Sequence, residues 1–213
     1  WLAEEKETKG VIAYFNFDDE TEGLKGAGAA AAVNGTIDFV EDAERGKVAS
    51  FDHQAWLNVT KEDGTSLLSG KNELTISYYS KVENTSANWG FYAADAAQTD
   101  GSKQYIGCME QNKAIRAEYS GKTTADTAVS VSGTTADGWN HIVVVYAKDT
   151  VKLYVNGTLA NTADNTESLT EILGTDSILQ IGKANLETDE YYQGLMDEFT
   201  VLRYVCAQNT FQS

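Results

Sequence analysis

Short runs rich in Val, Ile, Tyr, Phe and Thr recur along this chain, separated by clusters of Gly, Asn, Asp and Ser, and apolar residues rarely fall at helical spacing. Strands and turns require that punctuation. β-Branched and aromatic side chains fit a pleated surface, whereas Gly, Asn and Asp accept the backbone angles of tight turns. Strands are expected at residues 11–17, 36–40, 47–51, 55–59, 74–82, 88–93, 103–109, 113–119, 139–146, 151–156, 178–182 and 193–204. So many strands in one open twisted sheet would curl or split, so the expected fold is all-β, a two-sheet antiparallel β-sandwich or jelly roll. With 42% hydrophobic residues in 213, the chain can fill one core. One domain is expected over residues 10–213, with the acidic residues 1–9 as a linker remnant.

The best-defined unit runs from Trp139 to Thr162. Asn156-Gly157 is a strong hairpin signal, because both central residues of a type I′ turn need positive φ. Before it, Val151, Leu153 and Val155 alternate with Lys152 and Tyr154, giving a dry and a wet face. Residues 147–150 supply an earlier turn, so a meander in the middle of a sheet is expected.

Thirty-two acidic residues face 16 basic ones, a formal charge of −16. That field repels phosphate backbones and anionic lipid surfaces, so nucleic acid and membrane are not expected partners. No stretch approaches the roughly 18 apolar residues of a spanning helix, and the N-terminal residues lack the basic and apolar regions of a leader. Cys108 and Cys206 allow one bridge at most and read as two free, buried thiols. With only His53 and His141 to add, a Cys/His zinc site lacks ligands.

The chain resembles the bacterial laminin-G-like or concanavalin-A-like jelly rolls. The resemblance rests on Ala13-Tyr-Phe-Asn-Phe-Asp18-Asp19, Asn34-Gly35-Thr36, Val48-Ala-Ser-Phe51-Asp52, Leu74-Thr-Ile-Ser-Tyr-Tyr, Gly138-Trp-Asn-His-Ile-Val-Val-Val-Tyr, Leu153-Tyr-Val-Asn-Gly, Leu179-Gln-Ile-Gly182 and Gly194-Leu-Met-Asp197-Glu-Phe. These segments lie in family order from about Gly10 to Tyr204. The loop at 23–33 departs from the pattern with a Gly/Ala run, as does Val205-Cys206-Ala at the end. The resemblance implies a non-catalytic binding module of secreted sugar-acting enzymes, commonly with one structural calcium at the rim. Asp18, Asn34, Thr36 through its backbone carbonyl, and Asp197 match the family's metal positions, and calcium takes six to eight hard oxygen ligands of these kinds.

The same fold hosts retaining glycosidases, which need two carboxylates about 5 Å apart in one cleft. Glu187-Thr-Asp189 begins such a strand motif, but Tyr191 and Tyr192 stand where the second glutamate belongs, and Glu20 and Glu22 sit in a loop. No serine carries a Gly-x-Ser-x-Gly elbow. His141 reads as a strand residue beside Trp139.

Sugar recognition asks for flat aromatic faces and planar polar groups that pair with hydroxyls. Trp89, Tyr92, Tyr105 and Arg116 supply them on neighbouring strands. Arg116 and Glu118 share one strand face and Ile115, Ala117 and Tyr119 the other. If the second set is core, the first faces out. Trp139, Phe15 and Phe17 read as core, and Tyr191 as a cap beside the metal. The expected molecule is a monomeric, calcium-stabilised carbohydrate-binding module of a secreted or cell-surface bacterial enzyme. It would bind an oligo- or polysaccharide beside the catalytic domain of its parent chain. An adhesion or protein-binding laminin-G-like domain, or a glycosidase of this fold, are the alternatives.

Overall fold

The computed structural model describes residues 10–19, 24–52, 54–83, 85–97, 104–121, 128–165, 167–187 and 190–205. The proposed linker, His53, Glu20, Glu22, Asp189 and Cys206 lie outside them. Sixteen strands form two antiparallel sheets of eight: β1 Val11–Phe15, β2 Lys25–Gly26, β3 Ala29–Asn34, β4 Ile37–Asp42, β5 Gly46–Phe51, β6 Trp56–Lys61, β7 Leu74–Val82, β8 Asn88–Asp95, β9 Tyr105–Gln111, β10 Ala114–Ser120, β11 Val129–Thr134, β12 Asn140–Tyr146, β13 Thr150–Val155, β14 Thr158–Asp164, β15 Ser177–Ile181 and β16 Gly194–Leu202. The first sheet runs β14-β13-β12-β7-β16-β5-β4, with β1 also paired to β16. The second runs β11-β10-β9-β8-β15-β6-β3-β2. This is the expected jelly-roll sandwich.

Every expected strand is present within a few residues, and β2, β3, β11 and β14 are additional. The Gly/Ala run expected as a loop contains β3. Its residues Ala29 to Asn34 pair with Lys61 to Trp56 of β6, so the backbone ladder rather than side-chain bulk makes it a strand. A five-residue helix, α1 Leu169–Leu173, closes one end under a capping box of Ser168 and Glu171. Asn156 and Gly157 take positive φ, 52° and 80°, in the expected hairpin turn. The meander it belongs to lies at the edge of the first sheet, not in the middle, because β14 has no partner beyond β13.

Between the sheets lies one core, with Phe15, Phe17, Phe51, Tyr78, Phe91, Tyr119, Tyr146 and Phe199 fully buried or nearly so. Tyr78 stacks on Phe199 with ring centroids 5.6 Å apart and meets Phe91 edge-on. Phe15 and Phe17 are core as expected; Trp139 is not. It sits half-buried, its indole N–H donating to Asp42 Oδ1 at 3.0 Å, because an indole surrounded by charged neighbours keeps a polar partner at the surface. Cys108 is a buried free thiol whose burial pushes its pKa up. One carboxylate is sealed in with the apolar groups. Glu110 is 2% exposed and accepts a hydrogen bond from Ser80, whose hydroxyl also meets the Tyr192 phenol at 2.8 Å. Burial raises its pKa to about 7.

Candidate functional site

The outer face of the second sheet carries most of the expected ligand-binding residues. Ile115, Ala117 and Tyr119 of β10 point into the core, so Arg116 and Glu118 point out, as their alternation requires. Arg116 donates through Nε to Glu118 Oε1, and Tyr105 donates to Glu118 Oε2 at 2.6 Å. The Ser130 hydroxyl lies 3.4 Å from Oε1. Glu118 is therefore saturated with donors and nearly covered, whereas the Arg116 side chain stays 45% exposed with most of its N–H fork turned outward. A cavity of about 280 Å³ beside it is lined by Met109, Gln111, Asn112 and Ser132.

Next along this face come Trp89, Tyr92 and Tyr105. They face away from the inter-sheet core as expected, but they do not form an open platform. Trp89 is 2% exposed, Tyr92 0% and Tyr105 6%. Together with Ala94, Met109 and Ala184 they make a second hydrophobic cluster, against which Leu186 also packs. The cover is the segment after β15, held down by the Glu190 carboxylate accepting the N–H groups of Leu186 and Glu187. Tyr92 stacks on Tyr105 at 5.6 Å, and Trp89 meets Tyr105 edge-on at 6.3 Å. The Tyr92 hydroxyl has no hydrogen-bond partner among the described residues, while burial raises the pKa of the Glu190 carboxyl and the Trp89 indole acts on it in the opposite, lowering direction.

On the far side of the cover the face is open. Trp56 of β6 and Tyr191 are both half-buried, and the Lys183 ammonium lies 5.2 Å from the Trp56 ring centre and 5.9 Å from that of Tyr191. Lys183 also donates to Asn185 Oδ1 at 2.6 Å. Asn185 and Gln180 exchange amide hydrogen bonds at 3.1 and 3.2 Å. Desolvation lowers the Lys183 pKa, partly countered by Glu190. Two aromatic faces, a cation and a pair of amides thus converge where sequence reading placed only Tyr191. The signal for Trp56 was the alternation of β6, where Leu57 and Val59 are buried and Trp56 and Asn58 are not.

The residues matched to a metal lie elsewhere, around β1 and β16. Asp197 is 3% exposed; Arg45 Nε donates to its Oδ2 at 2.7 Å, while its Oδ1 is buried without a partner. Desolvation raises the Asp197 pKa to about 6, against the lowering effect of Arg45. The Arg45 guanidinium also lies 3.5 Å above the Tyr79 ring, which stacks on His141 at 4.4 Å. His141 is thus the expected strand residue. Burial, with Arg45 nearby, holds its pKa down at about 4. Tyr14 donates to Glu198 at 3.1 Å, and burial first, then the charges of Glu198, Asp197 and Asp18, pushes its pKa up. Phe17 and Glu198, the neighbours of Asp18 and Asp197, both take left-handed backbone angles, φ 58° and 48°. Asp18 and Thr36 are exposed, and Asn34 is half-buried at the crossing from the second sheet to the first. Among the described residues no three His, Cys, Asp or Glu side chains gather as a metal-holding group. A cation would therefore rest on two carboxylates supplemented by amide and backbone oxygens. The unpartnered Asp197 Oδ1 fits that role.

Residues 52–210 match the family model Laminin_G_3, described as the concanavalin A-like lectin/glucanases superfamily. No curated protein matches the chain by sequence. Among solved structures, domain 4 of AbnA, a GH43 extracellular arabinanase from Geobacillus stearothermophilus in complex with arabinotriose, superposes with a TM-score of 0.70 at 18% identity. That match covers 95% of this chain and 97% of that one. The Ruminococcus gnavus IT-sialidase CBM40 bound to alpha2,3 sialyllactose superposes with a TM-score of 0.65 at 14% identity, over 78% of this chain and 94% of that one. The receptor binding domain of botulinum neurotoxin D gives a TM-score of 0.66 at 12% identity, over 95% of this chain and 51% of that one. At these identities the likeness shows a shared fold.

Proposed function

From a chain that belongs to the concanavalin A-like lectin/glucanases superfamily, we propose a module that binds an oligo- or polysaccharide without cleaving it, as an accessory part of a secreted bacterial sugar-acting enzyme. The observation that carries the reading is the site of the half-buried Trp56, Tyr191, Lys183 and Asn185 on the outer face of the second sheet, with the buried Gln180 amide holding Asn185 from below. Pyranose and furanose rings present C–H faces that pack on aromatics, and their paired hydroxyls match amide and ammonium groups. Arg116 extends the polar face beyond the covered Trp89, Tyr92 and Tyr105, with Glu118 holding it in place. Two similar structures are described with a saccharide bound, which supports this class of ligand. Glu110 is sealed between the sheets and Glu118 is saturated by donors, so neither is placed to serve as an acid or base. Among the described residues the exposed large hydrophobics are Val33, Leu159 and Val205, and Val33 and Leu159 lie on opposite sheets.

Calorimetry against a panel of neutral oligosaccharides should give dissociation constants of roughly micromolar to millimolar, because a few stacked rings must offset lost rigid-body freedom. Trp56→Ala should abolish that binding and leave the melt within about 0.5 kcal/mol of the parent, as expected for a half-exposed side chain away from the core. Full binding by Trp56→Ala would remove this site from consideration. Release of reducing ends by the wild-type protein, lost on changing one acidic residue, would overturn the non-catalytic reading.

Structural calcium belongs to the same proposal, held by Asp18, Asn34, the Thr36 carbonyl and Asp197. Bound there, it would neutralise the carboxylates around Tyr14 and pin β1 to β16. A ligand that binds only the folded state stabilises it by about 2.7 kcal/mol at a hundred times its dissociation constant. Thermal melts in calcium and in chelator at matched ionic strength should differ accordingly, and Asp197→Asn should abolish the difference. Superimposable curves would exclude the metal.

A further inference from the structure

In a chain with twice as many acids as bases, one cavity runs against the prevailing charge. It has a volume of about 730 Å³ and lies at the ends of strands in the first sheet, between the loop before β7, the β12–β13 turn, the start of α1 and the end of β16. Among the described residues Lys71, Lys148 and Arg203 line it, against one lining carboxylate, Glu73. Ser168 also lines it, but its hydroxyl and N–H are engaged with Glu171 in the helix cap. None of the three cations makes an ion pair with a described residue, although 32 carboxylates were available to pair with them. The strands it adjoins belong to the first sheet, whereas Trp56 lies on the second and Lys183 just after its strand β15.

We propose that this cavity binds an anionic substituent, a carboxylate or sulfate, carried by a glycan. The proposal rests on the reading of the domain as a glycan-binding module and adds a second, charge-selective site to it. The physical argument is one of self-consistency. Like charges gathered without counter-charges repel one another and are tolerated where a ligand supplies the missing anion. Lysine and arginine donors around a concave volume of this size suit the oxygens of an oxyacid group, and Asn72 adds an amide at the wall. The strongly acidic remainder of the surface disfavours anions elsewhere, so such a ligand would be drawn to this one place.

The test is calorimetry at low and high salt with three oligosaccharides of similar length: an oligogalacturonate, a sulfated galactan oligosaccharide, and a neutral galactan oligosaccharide. The proteins are the wild type, a Lys71→Gln/Lys148→Gln/Arg203→Gln variant, and Trp56→Ala. At least one anionic ligand should bind the wild type, weaken with salt, and lose about tenfold or more in the triple variant, which removes charge-assisted hydrogen bonds. The carboxylated and sulfated ligands separate the two sources of the anion. That loss should persist in a Trp56→Ala background, while binding of the neutral ligand is unchanged by the triple variant. Anionic binding that the triple variant leaves intact overturns the proposal. So does equal, salt-independent affinity for charged and neutral ligands. Binding of neither class overturns both this proposal and the glycan-binding reading. Loss of neutral binding alone in Trp56→Ala leaves the second site supported. All three substituted side chains are at the surface, and an unchanged melt confirms that the variant folds.

Discussion

Above pH 7 the Glu110→Gln variant is expected to be more stable than its parent by about 3 kcal/mol. Burial raises the folded-state pKa of Glu110 from about 4.5 to about 7. The folded protein therefore keeps a proton that the unfolded chain has already released. Stability of the parent falls as pH rises from about 4.5 to about 7, and the full cost remains above that interval. Glutamine has the same shape and never ionises, so its variant should lack this slope. Its amide oxygen can still accept from Ser80. For a domain of this size the difference corresponds to roughly 6 to 12 °C in melting temperature. Chemical denaturation at several pH values measures it. Parallel pH profiles for the two proteins would show that Glu110 does not carry the burden assigned to it.

Trp89→Ala should cost about 3–5 kcal/mol, the range for removing a large aromatic from a packed interior. The indole is covered on one side by the segment that includes Ala184 and Leu186, and on the other it lies against the sheet. A Cβ at Gly107 would come within 2.7 Å of its ring, so that glycine is the space the indole fills. Trp89→Phe should cost much less, because it keeps most of the aromatic contact. Urea unfolding of the two variants beside Trp56→Ala separates a packed cluster from an open binding face. A Trp89→Ala protein as stable as the parent would mean that the cover does not pack on the ring.

The strand pattern was legible because each core-facing alternation is local. Ile115, Ala117 and Tyr119 predicted that Arg116 and Glu118 face outward, and they do. Asn156-Gly157 predicted its turn from two residues. What failed is non-local. Simple alternation would set Trp89 beside the core residue Phe91, but a bulge between them turns it to the outer face, and its burial is decided by Ala184, Leu186 and the Glu190 carboxylate, almost a hundred positions later. Trp139 looked like core because it begins an apolar run, yet its neighbours in space are Asp42 at the end of β4 and Arg45 in the turn that follows. Residues 29–34 gave no strand signal because alanine carries little propensity, and only pairing with β6 makes them one. Likewise, Trp56 and Lys183 are 127 positions apart, and no spacing rule joins them.

The place of β16 in the first sheet bears on how the molecule can be assembled. It sits between β5 and β7, with β1 also paired to it, yet about 110 residues separate the end of β7 at Val82 from Gly194. On the ribosome, β5 and β7 emerge long before their shared neighbour exists. Each then presents an open edge, flanked by apolar side chains that have nothing to pack against. Closing so distant a pairing is slow, so the nascent domain spends its synthesis in the state most prone to pairing with other chains. The same β16 insertion that unites the sheet thus defers its completion until every other described strand has been made.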